Sequence, residues 1–239
     1  MLDTFDFRAY GVPVLLATSP LIAALQATVI SLGGSWHWLQ LLPIPLWLVC
    51  GAVVIQLGHT PGKKLEPQLW QSWGGPPTTR LLRWRGASNP EQTADTHAAI
   101  DHIVGPNLRL PTETEEQQDP AKADLVYETV VGRLIALTSR ADDYPKLKNH
   151  LVWYCLRRSL LGLRKPALVI SGTTCLFAIA SGAAIAVFAP ASNGLVAAFV
   201  TTGVSVLVFF GFKVIVSQDF VREAAQRYAE ELIKLAYAL

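Results

Sequence analysis

The chain alternates between long uncharged stretches and regions where polar and apolar positions interleave. No Asp, Glu, Lys or Arg occurs over 9–60 or over 166–212. A helix rises about 1.5 Å per residue and a bilayer core is about 30 Å thick, so a span needs roughly 20 apolar residues and each stretch holds two. The first divides at 32–38, where Gly33, Gly34 and Ser35 favour a turn and Trp36 and Trp38 suit an interface. That leaves spans at 12–31 and 39–57. The second divides at 190–194, around Pro190, Asn193 and Gly194, leaving spans at 167–189 and 195–216. The expected fold is all-α: an integral membrane protein with four transmembrane helices in two hairpins, a helical cytoplasmic domain and a C-terminal amphipathic helix. The corresponding segments are 1–58, 59–165, 166–216 and 217–239.

Between the hairpins the pattern changes period. Over 59–90, Pro61, Pro67, Pro76, Pro77 and Pro90 predict extended segments and short helices, with Trp70 and Trp73 able to float among headgroups. A short helix over 90–104 stops at Gly105-Pro106, and a loop runs through Pro111. Asp119-Pro120 then reads as a cap followed by proline at the first helical position. That helix runs to about Arg140, with Leu125, Val126, Val130, Leu134 and Leu137 on its buried face. Another begins at about Lys146, carries Leu147, Leu151, Tyr154, Arg158 and Leu161 at helical spacing, and leads into the third span through Pro166. Over 217–239, Phe220, Ala224, Tyr228, Leu232 and Leu235 oppose Arg222, Glu223, Arg227, Glu230 and Glu231. Mixed charge on this amphipathic helix, continuous with the fourth span, favours packing on protein over lying on lipid.

Charge sets the orientation. Of 239 residues, 51% are hydrophobic and 16% charged, against about 25% charged in ordinary soluble chains. Arg8 precedes the first span, fifteen basic residues lie between Lys63 and Lys165, and Lys213, Arg222, Arg227 and Lys234 close the chain. The hairpin tips carry none, so the basic side is cytoplasmic, in the inner membrane, with both termini inside. A cleaved signal peptide is the rival for the first span, but Asp3 and Asp6 outnumber Arg8 ahead of it and the apolar run is long. Cys50, Cys155 and Cys175 suggest no disulfide framework.

Candidate chemistry is sparse. The spans lack ionisable residues except Lys213 near an end, which weighs against a proton-driven carrier. Gln26, Gln56, Thr174, Thr201 and Ser205 either glue helices together or line a narrow wet path. Thr174, Ala178, Gly182 and Ala186 recur every four residues, a small-residue ridge that packs helices within one subunit or between subunits. His97 and Asp101 share a helix face at a spacing compatible with a metal, although a solvated face is the ordinary reading. No nucleotide loop, zinc-protease motif or nucleophile elbow is present. Gly74-Gly75-Pro76-Pro77 reads as a rigid turn. No enzyme activity, cofactor or metal is expected.

The stretch Trp73-Gly74-Gly75-Pro76-Pro77-Thr78-Thr79-Arg80-Leu81-Leu82-Arg83 resembles the W-GG-x-P-T-T-x-x-L-R segment of a family of uncharacterised bacterial four-span inner-membrane proteins. Leu110-Pro111-Thr112, Asp119-Pro120, Ala123-Asp124, Tyr127 and the helix over 149–165 with Arg157-Arg158 agree with it. Asn149-His150 and Trp153 to Arg158 depart from that family's E-N pair and Y-G-F-R-R. The resemblance implies architecture more than activity. In architecture the chain also resembles the membrane effectors of phage defence, which depolarise or permeabilise the inner membrane when triggered, a likeness by analogy alone.

Together these features predict an oligomeric inner-membrane channel or membrane-disrupting effector, gated by its cytoplasmic part. Its partners would be membrane lipid, further copies of the chain, and a cytoplasmic regulatory protein or a nucleotide or nucleic-acid trigger. Arg80, Arg83, Arg85, Arg157 and Arg158 would meet that anion, since guanidinium groups bind phosphate bidentately, or else contact anionic lipid. The alternative is a non-conducting membrane scaffold that recruits a cytoplasmic partner protein.

Overall fold

A computed structural model describes residues 4–31, 51–104, 108–139, 143–188 and 193–238. Among these, every regular element is helical. A helical turn at Thr4–Asp6 and a π-turn at Phe7–Gly11 lead into α1, Val12–Ser31. The remaining helices are α2 (Gly51–Trp73), α3 (Pro77–Leu82), α4 (Pro90–Val104), α5 (Glu113–Gln118), α6 (Pro120–Leu137), α7 (Pro145–Phe188) and α8 (Asn193–Phe210). A π-turn at Gly211–Ile215, then α9 (Gln218–Lys234) and a 3-10 turn at Leu235–Tyr237, complete the chain. Three stretches, Thr4–Val29, Pro145–Phe188 and Gly194–Ile215, are long and apolar enough to cross a membrane by length and composition, so this is read as a membrane protein. Most of the second predicted span, 39–50 of 39–57, lies outside the described residues.

The chain divides into two compact units, one of 1–66 with 155–221 and one of 67–154 with 222–239. In the first, α1 packs along α8, and α7 meets α8 antiparallel. A Cβ on Gly182 would stand 3.2 Å from Ala198 Cβ, and one on Gly172 3.9 Å from the Phe209 ring. Where the apolar segments end, Val14, Ala17, Leu160, Leu163, Ala167, Phe212 and Val216 form one buried cluster. Elsewhere on α7, α8 and the π-turn that follows, the large side chains Phe177, Val187, Phe199, Leu207 and Val214 point outward, as a lipid-facing surface requires.

The second unit has a core of its own. Leu82 from α3, Ile100 and Val104 from α4, Tyr127, Val130 and Leu134 from α6, Leu147 from α7, and Leu232 and Ala236 from the C-terminal segment pack together. Local rules explain several ends. Thr112 and Glu115 form a reciprocal capping box at the start of α5, and Asp119 caps α6 ahead of Pro120.

The structure departs from the sequence reading at four places. Pro61 and Pro67 lie inside α2, where extended segments were expected; around Pro61, close packing of Gly58 and Gly62 on neighbouring backbone overrides the weak propensity. The stretch between Pro111 and Asp119, to which the sequence reading assigns no element, contains α5. The buried stripe of α6 runs through Ala123, Tyr127, Val130, Val131 and Leu134, leaving Leu125 and Leu137 exposed, because Tyr127 fixes the phase of the helix. Finally, α9 is not continuous with α8: the helix breaks at Val216, whose backbone is extended, and Ser217 Oγ accepts from the Phe220 N–H at the new helix start.

Candidate functional site

The segment that follows α2 is clipped onto α5 and α6 by charge. Gly74 and Gly75 take positive φ (79° and 124°), the left-handed region that glycine adopts without strain. This brings the Arg83 guanidinium so close that a Cβ on Gly75 would lie 2.7 Å from its Nη2. Arg83 Nη1 donates to the Gly74 carbonyl at 2.6 Å, while its Nε and Nη2 donate to the two Asp124 oxygens at 2.8 and 2.9 Å. Arg85 Nη2 donates to Asp124 Oδ2 at 2.6 Å and Nη1 to the Pro120 carbonyl at 3.3 Å. One carboxylate thus holds two guanidinium groups, Arg83 through the bidentate fork that makes charge-assisted hydrogen bonds strong.

Glu116 is the inner anchor of the same segment. It is 1% exposed. Its oxygens accept from the Trp84 N–H at 2.8 Å, the Arg85 N–H at 3.2 Å and the Tyr127 hydroxyl at 2.6 Å. Burial, then the Glu116 carboxylate, pushes the Tyr127 hydroxyl well above its ordinary value, so it remains a donor. Trp84 Nε1 donates to the Pro111 carbonyl, and its ring meets His97 edge to face at 4.9 Å. His97 Nε2 donates to the Leu82 carbonyl at 2.7 Å. Burial lowers the pKa of His97, opposed by that hydrogen bond and by the Asp101 and Glu116 charges. With every oxygen of Glu116 and Asp124 accepting from a donor, neither is a free general base.

Arg83 and Arg85 belong to these clips. Arg80 is exposed; burial, then the Arg222 and Arg83 charges, lowers its pKa. In the first unit, Arg158 Nη1 donates to Glu66 Oε1 at 2.6 Å, and Arg157 Nη1 donates to the Phe220 carbonyl at 2.9 Å with its guanidinium over the Phe220 ring at 4.3 Å. Asp101 accepts from the Leu110 N–H at 3.0 Å, so both members of the candidate metal pair make contacts within the fold. Among the described residues no group of three or more His, Cys, Asp or Glu is placed to hold a metal.

In the apolar helices Thr201 Oγ1 donates to the Ala197 carbonyl at 2.8 Å and Ser205 Oγ to the Thr201 carbonyl at 2.8 Å. Thr174, Thr201 and Ser205 are buried. Gln26 is half-buried in α1; the Gln56 side chain lies outside the described residues. Ala178 is buried, Gly182 faces Ala198 within the chain, and Ala186 is exposed. A cavity of about 180 Å³ lies between α1, α7 and α8, lined in part by Thr28, Ser181 and Thr201.

Sequence reasoning missed the carboxylates. Asp124 and Glu116 lie 41 and 32 residues from their main partners, and Glu66 lies 92 from Arg158. No local spacing announces pairs that distant. The stretch that ends at Arg83 and the one that holds Asp124 and Tyr127 meet at these clips. Compared with known proteins, the chain matches no family model, no curated protein and no solved structure.

Proposed function

We propose that the chain is a multi-pass protein of the cell inner membrane that crosses it four times as two hairpins, with both termini and 59–165 cytoplasmic. In this reading it is an oligomeric channel or membrane-disrupting effector gated by its cytoplasmic helices. Topology draws support from Arg8, Arg164, Lys165 and Lys213, which lie where the apolar segments of α1, α7 and α8 end around one buried cluster. The phage-defence setting rests on architectural analogy alone.

The observation that carries gating is the Glu66–Arg158 pair. Its side chains are 17% and 7% exposed, at the crossing where Gly62 lies against the Arg158-Ser159 backbone. Taking two charges out of water costs several kcal/mol per ion, and an apolar contact of the same volume often fastens helices as well. A buried pair is better suited to a two-state element, made when closed and hydrated when open. Of the five predicted arginines, Arg80 is the one whose side chain makes no hydrogen bond or ion pair among the described residues, so an anionic trigger would meet it with Arg222.

One observation favours the scaffold alternative: the hydroxyls of Thr201 and Ser205 donate to carbonyls within the protein, Thr201 to Ala197 and to Ala23 of α1 and Ser205 to Thr201, which leaves them poor pore-lining groups. Ion flux into vesicles holding the full chain separates the two. A channel held shut by Glu66–Arg158 is silent as wild type and leaks as Glu66→Gln. Silence of both, with the protein inserted, leaves the scaffold.

A further inference from the structure

We propose that the seam between α7 and α8, where their apolar segments end, binds the phosphate headgroup of an anionic phospholipid between Lys165 and Lys213, with Arg164 alongside. This rests on the membrane reading above. The register of the two helices places the cations. Gly172 faces the Phe209 ring, and Lys213 Nζ lies 5.7 Å from the centroid of that ring. Lys165 precedes Gly172 by two helical turns and so shares its stripe on α7. From the Gly172–Phe209 contact, Lys213 lies about 6 Å and Lys165 about 10 Å along the helices toward the same end, so the two residues stand about a turn apart along one seam. Arg164 is held there too, its Nη2 donating to the Lys213 carbonyl at 3.1 Å at the π-turn Gly211–Ile215.

The charge around this seam is uncompensated. Among the described residues Arg164, Lys165 and Lys213 have no carboxylate within 4.0 Å, whereas Arg83, Arg85 and Arg158 each do. Immediately beside the cations Val169, Phe210, Val214 and Ile215 are exposed. A ligand that fits must bring a compact anion and long apolar chains together, which a phospholipid does and a soluble phosphate does not. Basic groups between membrane helices on the cytoplasmic side are suited to such headgroups.

Native mass spectrometry of the full chain in detergent, titrated with phosphatidylglycerol or with phosphatidylcholine of the same acyl chains, tests this. Wild type should retain phosphatidylglycerol about tenfold better. Lys165→Gln with Lys213→Gln should lose that preference, and Lys165→Arg with Lys213→Arg should keep it. Lys122→Gln with Arg133→Gln, an equal charge change elsewhere, should also keep it, and excess inorganic phosphate should leave the lipid bound. No preference in wild type, equal loss in the Lys122/Arg133 variant, or displacement by phosphate overturns the site. Carbonate washing of membranes separates the failures: a chain that washes off removes the membrane reading as well, and one that stays without lipid preference removes only this site.

Discussion

Glu66 Oε1 accepts a hydrogen bond from Arg158 Nη1 at 2.6 Å across 92 residues of sequence, with both side chains nearly out of water. Removing one partner takes this charge-assisted hydrogen bond from the other buried group, at a cost of about 1.5–3 kcal/mol, whereas replacing both with apolar residues is often neutral. We expect Arg158→Ala and Glu66→Ala to lower the melting midpoint in detergent sharply, and Glu66→Leu with Arg158→Met to recover most of the loss. Single variants that melt like wild type would show that the pair does not fasten the crossing.

The same crossing depends on glycine. A Cβ on Gly162 would lie 2.6 Å from the Gly62 nitrogen, and one on Gly58 would collide with the Tyr10 carbonyl, whereas Gly203 has open space around it. Gly162→Val should therefore reduce the yield of monodisperse protein severely, because backbone must move. Gly203→Ala should match or exceed wild type, since alanine in a helix is better by about 0.5–1 kcal/mol. Equal behaviour of the two in size-exclusion profiles would remove the close approach at Gly162.

Glu116 ties the Trp84 and Arg85 backbone to Tyr127. Hydrogen bonds to a charged group contribute about 1.5–3 kcal/mol. Glu116→Ala should release the segment and speed tryptic cleavage after Arg83 and Arg85, with Asp124→Ala doing the same less strongly because Asp124 is more exposed. Unchanged cleavage in Glu116→Ala would mean that the clip holds nothing.

His97 gives a pH dependence with a definite sign. Its folded pKa lies below the ordinary value, chiefly through burial, so the unfolded chain binds a proton first as pH falls. Its contribution is fully present above about pH 6.5 and is lost as pH drops through the folded value. Wild type should lose thermal stability from neutral toward acid more steeply than His97→Gln, whose amide can still donate to the Leu82 carbonyl. Parallel pH profiles would contradict a neutral, buried His97.

Particular residues show what the sequence disclosed. Pro90 marked the start of α4, Asp119-Pro120 marked the start of α6, and the uncharged stretch after Arg8 contains α1 over Val12–Ser31. The Thr112-x-x-Glu115 spacing that opens α5 is passed over in the sequence reading, although it is the local signature of a capping box. The path of α2 through Pro61 was not readable, because tertiary packing at Gly58 and Gly62 decides it. Nor were the partners of Arg83, Arg85 and Arg158, since ion pairs across 39–92 residues leave no periodic trace. Arg80, Arg83 and Arg85 look alike in sequence, and only the fold distinguishes two clips from one exposed cation.

The direct test of the membrane topology is compartment-specific labelling of single cysteines in intact cells, on a background with Cys50, Cys155 and Cys175 replaced. Cysteines placed at Gly34 and Asn193 should react with an impermeant maleimide added from outside. One at Lys122 and one at Tyr237 should react only after the inner membrane is opened. Protection of Gly34 or Asn193, or outside labelling at Lys122, would contradict four crossings with a cytoplasmic middle.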